Sequence, residues 1–119
     1  HGYIAAEIAK HGGIAIRSLI APYEADRDEM RRMVTRCGGF VEIYLSTPLA
    51  ECERRDPKKL YAKARAGELK HMTGIDDPYE PPLRAELELN GAQLSVADSV
   101  TAVIAFLLKS HLVSSTRAA

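Results

Sequence analysis

The spacing of apolar positions changes several times along the first half of the chain, and each change predicts a new element. Apolar side chains three and four residues apart predict a helix over 1–11, and the glycine pair at 12–13 is a strong signal for its end. Residues 14–20 form a short, mostly apolar run typical of a buried parallel strand. A charged helix is expected over 24–36, and the apolar run 40–45 is the clearest strand.

The second half of the chain predicts three helices, one strand and one long loop. Thr47 is the expected N-cap of the next helix, with Pro48 at its first position, and Ser95 is the expected cap of the last helix. Residues 67–85 are too long for a simple connection, so they are a candidate functional loop. The other elements are a helix, a short basic helix, a short strand and a final helix, over 48–56, 58–66, 86–90 and 95–112.

This order of elements predicts the fold class. Strands that alternate with helices favour a parallel sheet with right-handed crossovers and helices on both of its faces. We therefore expect an α/β protein, with residues 1–119 forming a single domain of ordinary size. The chain shows no internal repeat and no low-complexity tract.

Composition excludes several classes of partner. The chain has 16 basic and 16 acidic residues and no net charge, so it offers no field that would attract nucleic acid or an anionic membrane. No apolar run approaches the roughly 20 residues that span a bilayer. Cys37 and Cys52 lack metal-ligand spacing, and free thiols in a reducing cytoplasm are the simpler interpretation, with a disulfide as the alternative.

The basic segment before the long loop is the main candidate for chemistry. Lys58, Lys59, Lys63 and Arg65 lie within eight residues, next to a Gly/Pro-rich stretch that carries aromatic side chains. Such a segment can cover a polyphosphate and screen the charge that develops between two phosphates. The alternative is a solvated helix face, which is what runs of charge usually form.

The usual phosphate-binding sequence is absent from these residues. A P-loop requires Gly-x-x-x-x-Gly-Lys-Ser/Thr, because closely spaced amides and a lysine must surround the phosphates, and the chain contains no Gly-Lys dipeptide. No early aspartate is placed to hold magnesium, and no metal ligand is predicted. Asp76 and Asp77 are explained more simply by a turn. We therefore expect no catalytic residue within this chain.

Three stretches carry a resemblance to a known family. Arg55-Asp-Pro-Lys-Lys-Leu-Tyr-Ala-Lys-Ala-Arg-Ala-Gly67 and the following Glu-Leu-Lys-His-Met-Thr-Gly-Ile-Asp resemble the lid and substrate loop of adenylylsulfate (APS) kinases. The stretches 14–27 and 40–54 are similar to that family's strand and Pro-Tyr turn and to its next strand and helix. The resemblance covers nearly the whole chain and implies the P-loop kinase fold, incomplete and without the P-loop strand.

The resemblance also implies roles for individual residues. It assigns residues 54–82 as the lid and substrate loop. The residues that it places at the APS site are Ile20, Leu60, Lys70, Met72 and Thr73, and those that it places at the ATP side of the lid are Arg55, Lys58, Lys63 and Arg65.

Four positions depart from the family pattern. Met72 stands where the family usually has Phe, so less flat area is offered to the APS adenine. Ala21 replaces a common Ser, and Lys59 replaces a Gly, which we expect to stiffen the lid. Glu24 stands where Arg is common and removes one local positive charge.

By this resemblance the function would be phosphorylation of the 3′-hydroxyl of APS with magnesium-bound ATP, which yields PAPS for sulfate assimilation. The chain begins at His1 inside a predicted helix, and we expect it to be the C-terminal two-thirds of such a kinase, inactive alone. The alternative is a non-catalytic, PAPS-sensing domain of an ATP sulfurylase. APS and ATP are the expected partners, and a homodimer or a fusion to ATP sulfurylase is compatible with the family.

The resemblance leads to one physical expectation for the isolated chain. In the family the P-loop strand lies between the strands matched by 14–20 and 40–45. Without it those two strands would either face an open slot or pair directly. Because unpaired backbone in a sheet is costly and exposed edges aggregate, we expect the 119-residue chain to be poorly stable.

Overall fold

The computed structural model describes residues 2–114, which form five helices and two strands. The chain runs in the order α1, α2, β1, α3, α4, β2, α5. The bounds of these elements are Gly2–Lys10, Glu24–Thr35, Ile43–Leu45, Leu49–Arg55, Leu60–Arg65, Leu87–Leu89 and Val96–Lys109. Helix α1 packs against α2, and α5 lies against β2.

Strands β1 and β2 pair in parallel, with Ile43 opposite Leu87 and Leu45 opposite Leu89. The ladder continues past the strand end, where the Ser46 N–H donates to the Leu89 carbonyl at 3.0 Å. The predicted α/β class with parallel strands is therefore confirmed. Both strands are shorter than predicted, at three residues each.

The predicted strand at 14–20 is wrong. This segment has no regular secondary structure. An open cavity of about 560 Å³ lies beside it, and its lining includes Ile14, Ile16 and Ile20 together with Val41 and Ile43. We call this cavity the open slot, and residues 14–20 border it without forming a strand.

One predicted helix cap is confirmed and another is wrong. The Ser95 hydroxyl accepts the N–H of Asp98 at 3.1 Å and so caps α5. Thr47 does not cap α3. Its hydroxyl instead accepts the Gly91 N–H at 3.0 Å, and Pro48 precedes the helix in an extended conformation. Thr47 thus joins the two turns that follow β1 and β2.

Few side chains are fully enclosed in the described residues. Ala6, Val34 and Leu89 are the buried hydrophobic residues, while Ile16 is 90% exposed. Arg27 and Asp56 are also buried, which is uncommon for charged residues unless they are paired. Exposed apolar side chains include Ile14, Ile16 and Ile20 at the open slot and Val96, Val100 and Ile104 on helix α5.

Two further sequence expectations concern the cysteines and the membrane. Cys37 and Cys52 are both free thiols, as the simpler interpretation held, and both are half-buried. No helix within residues 2–114 combines the length and the apolarity that crossing a bilayer requires.

Candidate functional site

Helix α4 of the basic segment is held at its amino end by Asp56. The Asp56 carboxylate accepts the N–H of Tyr61 at 3.2 Å and that of Ala62 at 3.0 Å. Burial of Asp56 opposes its ionisation, but the amide donors of Ala62, Tyr61 and Leu60 outweigh that effect and lower the carboxyl pKa. A carboxylate at a helix amino end also complements the helix dipole. Asp56 belongs to the stretch 55–67 that resembles the family's lid, so this stretch carries the cap of its own helix.

The two ends of α4 are bounded by left-handed residues. Gly67 has φ +76° after the helix, and the N–H of Glu68 donates back to the Lys63 carbonyl at 2.9 Å, a pattern that ends helices. Lys59, before the helix, has φ 57° and ψ 26°. That conformation suits glycine, which is the residue that the family resemblance implies at this position. Helix α4 contains no buried residue.

The arginines of the basic segment are already paired with carboxylates. Arg55 donates to Glu51 at 2.6 Å and to the carbonyl of Gly91 at 2.6 Å. Arg65 donates to Glu53 at 2.6 Å. Hydrogen bonds from Arg54, and then from Arg55, lower the pKa of Glu51 to about 2. Arg55 and Arg65 therefore brace helix α3 and its neighbours in this structure.

The lysines of the same region differ from the arginines. Lys58, Lys63 and Lys70 are exposed, and within residues 2–114 none of their side chains forms an ion pair or a hydrogen bond. Ammonium groups on flexible stems can therefore turn toward an anionic ligand without first breaking a contact. The prediction grouped both residue types as lid cations, and the structure separates them.

The loop that carries Met72 is organised by Asp76. Its carboxylate accepts the N–H of His71 at 2.7 Å and that of Met72 at 2.6 Å. The His71 amide lowers the pKa of Asp76 most strongly, against burial and with help from the Met72 amide. An isolated bridge between Thr73 and Asp77 closes the turn. Met72 and Thr73 are half-buried, so their backbone is fixed while the side chains stay accessible.

A second anchor lies at the far end of the loop, where Arg27 of α2 donates to two carbonyls. Its guanidinium reaches the Ala21 carbonyl at 2.6 Å and the Glu80 carbonyl at 2.7 Å. It also pairs with Glu24, and its Nε lies 3.0 Å from a Glu42 carboxylate oxygen. That last pair lacks hydrogen-bond geometry and interacts as charges.

Arg31, one turn further along α2, extends this cluster. It donates to Glu86, Glu42 and the Arg84 carbonyl, and its guanidinium lies 4.8 Å from the centre of the Phe40 ring. Burial is the largest single effect on Glu86 and opposes its ionisation, but the Arg31 hydrogen bond, the Glu42 amide and the Arg31 charge together outweigh it and lower the Glu86 pKa. Sequence reasoning missed both arginines. Their spacing of four residues on a charged helix was the available signal.

The structure brings only part of the predicted site together. Ile20 is 69% exposed and lines the open slot, and Leu60, at 40% exposed, begins α4. The turn that follows Ile20 is joined to the end of the loop through Arg27. Among the described residues, no hydrogen bond or ion pair joins α4 to the 70–77 turn.

The described residues offer no ligand set for the expected magnesium ion. Within residues 2–114, no three His, Cys, Asp or Glu side chains cluster as metal ligands would. Asp76 is committed to two backbone amides, and Glu51 and Glu53 to arginines. This part of the chain therefore does not fit a magnesium site.

A parallel strand pair, flanking helices and the basic helix α4 make this an α/β protein. Its similarity to solved APS kinases gives it the P-loop kinase fold. The fold matches that of the Mycobacterium tuberculosis APS kinase CysC, solved in complex with AMPPNP and APS, with a TM-score of 0.83 and 39% sequence identity. The match covers 89% of this chain and 61% of that one. A family model described as adenylylsulphate kinase matches residues 1–90. The chain belongs to the adenylylsulphate kinase family.

Individual relatives agree with this assignment. The chain is 47% identical over 103 residues to an adenylyl-sulfate kinase of Synechococcus sp. (strain JA-2-3B'a(2-13)), covering 87% of this chain and 57% of the relative. It is 53% identical over 88 residues to adenylyl-sulfate kinase 1, chloroplastic, of Arabidopsis thaliana, covering 74% of this chain and 32% of that protein. The chain thus spans little more than half the length of the Synechococcus relative.

Proposed function

We propose that these residues form the lid and part of the acceptor site of an enzyme that transfers the γ-phosphate of ATP to the 3′-hydroxyl of APS. The observation that carries this proposal is that Lys58, Lys63 and Lys70 are exposed and have no partner within residues 2–114, while Asp76 holds the backbone of the loop that follows Lys70. APS and ATP are both anionic, and a chain without net charge can attract them only through local positive charge, which these lysines supply.

In this transfer the 3′-oxygen of APS forms a bond to the γ-phosphorus, the bond from that phosphorus to the ADP oxygen breaks, and the hydroxyl proton leaves. Charge spreads over the oxygens of the transferred group, so catalysis depends mainly on positioning and on neutralising charge. Lys58 and Lys63 would supply positive charge from the lid, and Lys70 would contact APS beside Met72. Magnesium would neutralise the ATP phosphates, and no residue described here is assigned to hold it.

A second candidate function is nucleotide sensing without catalysis. The observation that favours it is the state of the lid, in which Arg55 and Arg65 are paired with carboxylates and Lys59 occupies a left-handed position that suits glycine. A sensor needs affinity for PAPS and no transfer step. Stronger binding of PAPS than of APS, without turnover in any longer form of the protein, would favour this function.

The proposal is tested by calorimetric titration of the 119-residue chain with APS and, separately, with ATP and magnesium. We expect binding of APS, no measurable binding of ATP and no phosphate transfer by this chain alone. Lys70→Ala should weaken APS binding about ten-fold or more, since a hydrogen bond from a charged donor is lost. Lys109→Ala is the matched control, because Lys109 is exposed at the end of α5.

Absence of APS binding, or an equal loss in both lysine variants, would contradict the proposal. The cytoplasmic location, a homodimer and a fusion to ATP sulfurylase belong to the same proposal and depend on the family resemblance. Size-exclusion chromatography with light scattering tests the homodimer directly.

A further inference from the structure

Arg27 is the most enclosed guanidinium in the described chain, with 7% of its side chain exposed. Two of its hydrogen bonds go to backbone carbonyls from segments 59 residues apart, Ala21 and Glu80. The same two segments are joined directly as well. The Glu80 N–H donates to the Pro22 carbonyl at 2.8 Å, and the Glu24 N–H donates to the Glu80 carboxylate at 2.7 Å.

The turn that Arg27 holds is strained. Ala21 has φ 41°, a left-handed conformation that L-residues with a Cβ adopt only at a cost. Such a conformation persists where surrounding contacts over-determine it, and the Ala21 carbonyl is one of the groups that Arg27 binds. Without this hydrogen bond, the residue that follows Ile20 would relax toward a more common conformation.

The two joined segments belong to the two sides of the proposed acceptor site. Ile20 directly precedes the strained turn, while Glu80 ends the stretch that begins with Lys70, Met72 and Thr73. A ligand held between these sides requires them to keep a fixed separation, because small misplacements strongly reduce binding and reaction.

We propose that Arg27 is a positioning residue, which sets the distance between the 20–24 turn and the substrate loop through its two carbonyl contacts. This inference rests on the proposed function, since it assumes that APS binds between these segments. Arg27 itself would not touch the nucleotide. Its planar guanidinium suits this role because it can bind two carbonyls and two carboxylates at once, which an ammonium group cannot do with the same geometry.

The test compares Arg27→Lys with Arg31→Lys in the 119-residue chain. Both change a half-buried or buried arginine of the same helix that contacts Glu42, but only Arg27 reaches Ala21 and Glu80. Amide hydrogen exchange, measured without ligand, should accelerate at Glu24 and Glu80 in Arg27→Lys and remain unchanged there in Arg31→Lys. APS affinity should fall about ten-fold in Arg27→Lys only.

A further variant distinguishes loss of the contact between the two segments from unfolding of the chain. Glu80→Ala removes an exposed carboxylate that accepts the Glu24 N–H and leaves Arg27 in place. It should shift exchange and affinity in the same direction by a smaller factor, with the circular dichroism spectrum unchanged.

Unchanged exchange at Glu24 and Glu80 in Arg27→Lys would overturn the inference, as would accelerated exchange with unchanged APS affinity. Equal losses of affinity in Arg27→Lys and Arg31→Lys would show a general structural role and would also overturn it. Absence of APS binding to the unsubstituted chain would instead refute the proposed function, and the exchange pattern would still decide whether Arg27 joins the two segments.

Discussion

Replacing Lys59 by glycine should stabilise the chain, although the change removes a side chain. Lys59 has φ 57° and ψ 26°, and a residue with a Cβ pays roughly 1–2 kcal/mol in this region. Glycine adopts this conformation without strain, but it makes the unfolded chain more flexible, which lowers the free energy of unfolding by roughly 0.4–1 kcal/mol. The net expectation is a gain of about 0.5–1 kcal/mol in the free energy of unfolding, the difference between these two effects.

Two control variants separate the backbone effect from the loss of the lysine. Lys59→Ala removes the same charge, which helps to lower the Asp56 pKa, but keeps the Cβ, so its stability should stay within about 0.5 kcal/mol of the unsubstituted chain. Lys63→Gly places glycine inside α4 and should destabilise by about 1 kcal/mol. Replacing lysine by glycine should therefore raise the free energy of unfolding at position 59 and lower it at position 63.

The assay is urea unfolding followed by circular dichroism, with amide hydrogen exchange as a local measure in α4. The expected gain corresponds to roughly two- to five-fold greater protection of the α4 amides. The reasoning is refuted if Lys59→Gly is no more stable than Lys59→Ala. It is also refuted if Lys63→Gly stabilises the chain.

Two further predictions concern the whole chain and the substrate loop. Because residues 14–20 form no regular secondary structure and few side chains of residues 2–114 are buried, we expect a broad calorimetric melting transition; a sharp two-state melt at high temperature would contradict this. The Asp76 pKa lies below its ordinary value of 3.8. The carboxylate therefore stabilises the loop fully above pH 3.8, and this stabilisation is lost as the pH falls through the lowered pKa. The NMR amide resonances of His71 and Met72 should therefore shift below pH 3.8, and in an Asp76→Asn variant that shift should disappear.

Local signals in the sequence predicted the elements that local interactions fix. Ser95 caps α5 as expected, since its partner, the Asp98 N–H, is only three residues away. The glycine pairs at 12–13 and 38–39 follow helices that end close to where predicted. The alternation of helices and strands was sufficient to predict parallel pairing of β1 with β2.

The errors arise where a residue's partner lies far along the chain. Threonine is a residue type that commonly caps helices, but the Thr47 hydroxyl accepts the N–H of Gly91, 44 residues later. Residues 14–20 have the composition of a strand, but a strand also requires a neighbour. The contacts of Arg27 with Ala21 and Glu80 join segments that no periodicity relates, so the spacing of arginines on a charged helix could mark Arg27 but not these partners.

The way in which helix α4 is attached affects its thermal melting and the enthalpy of ligand binding. Helix α4 buries none of its residues and is held by Asp56 at its start, by the Gly67 turn at its end and by the exposed Arg65–Glu53 pair, so it can melt as a cooperative unit of its own. Warming would then disorder this helix before the strands separate. Any nucleotide that α4 covers would release extra heat on binding, from refolding of the helix, and this enthalpy would grow with temperature while the affinity declined.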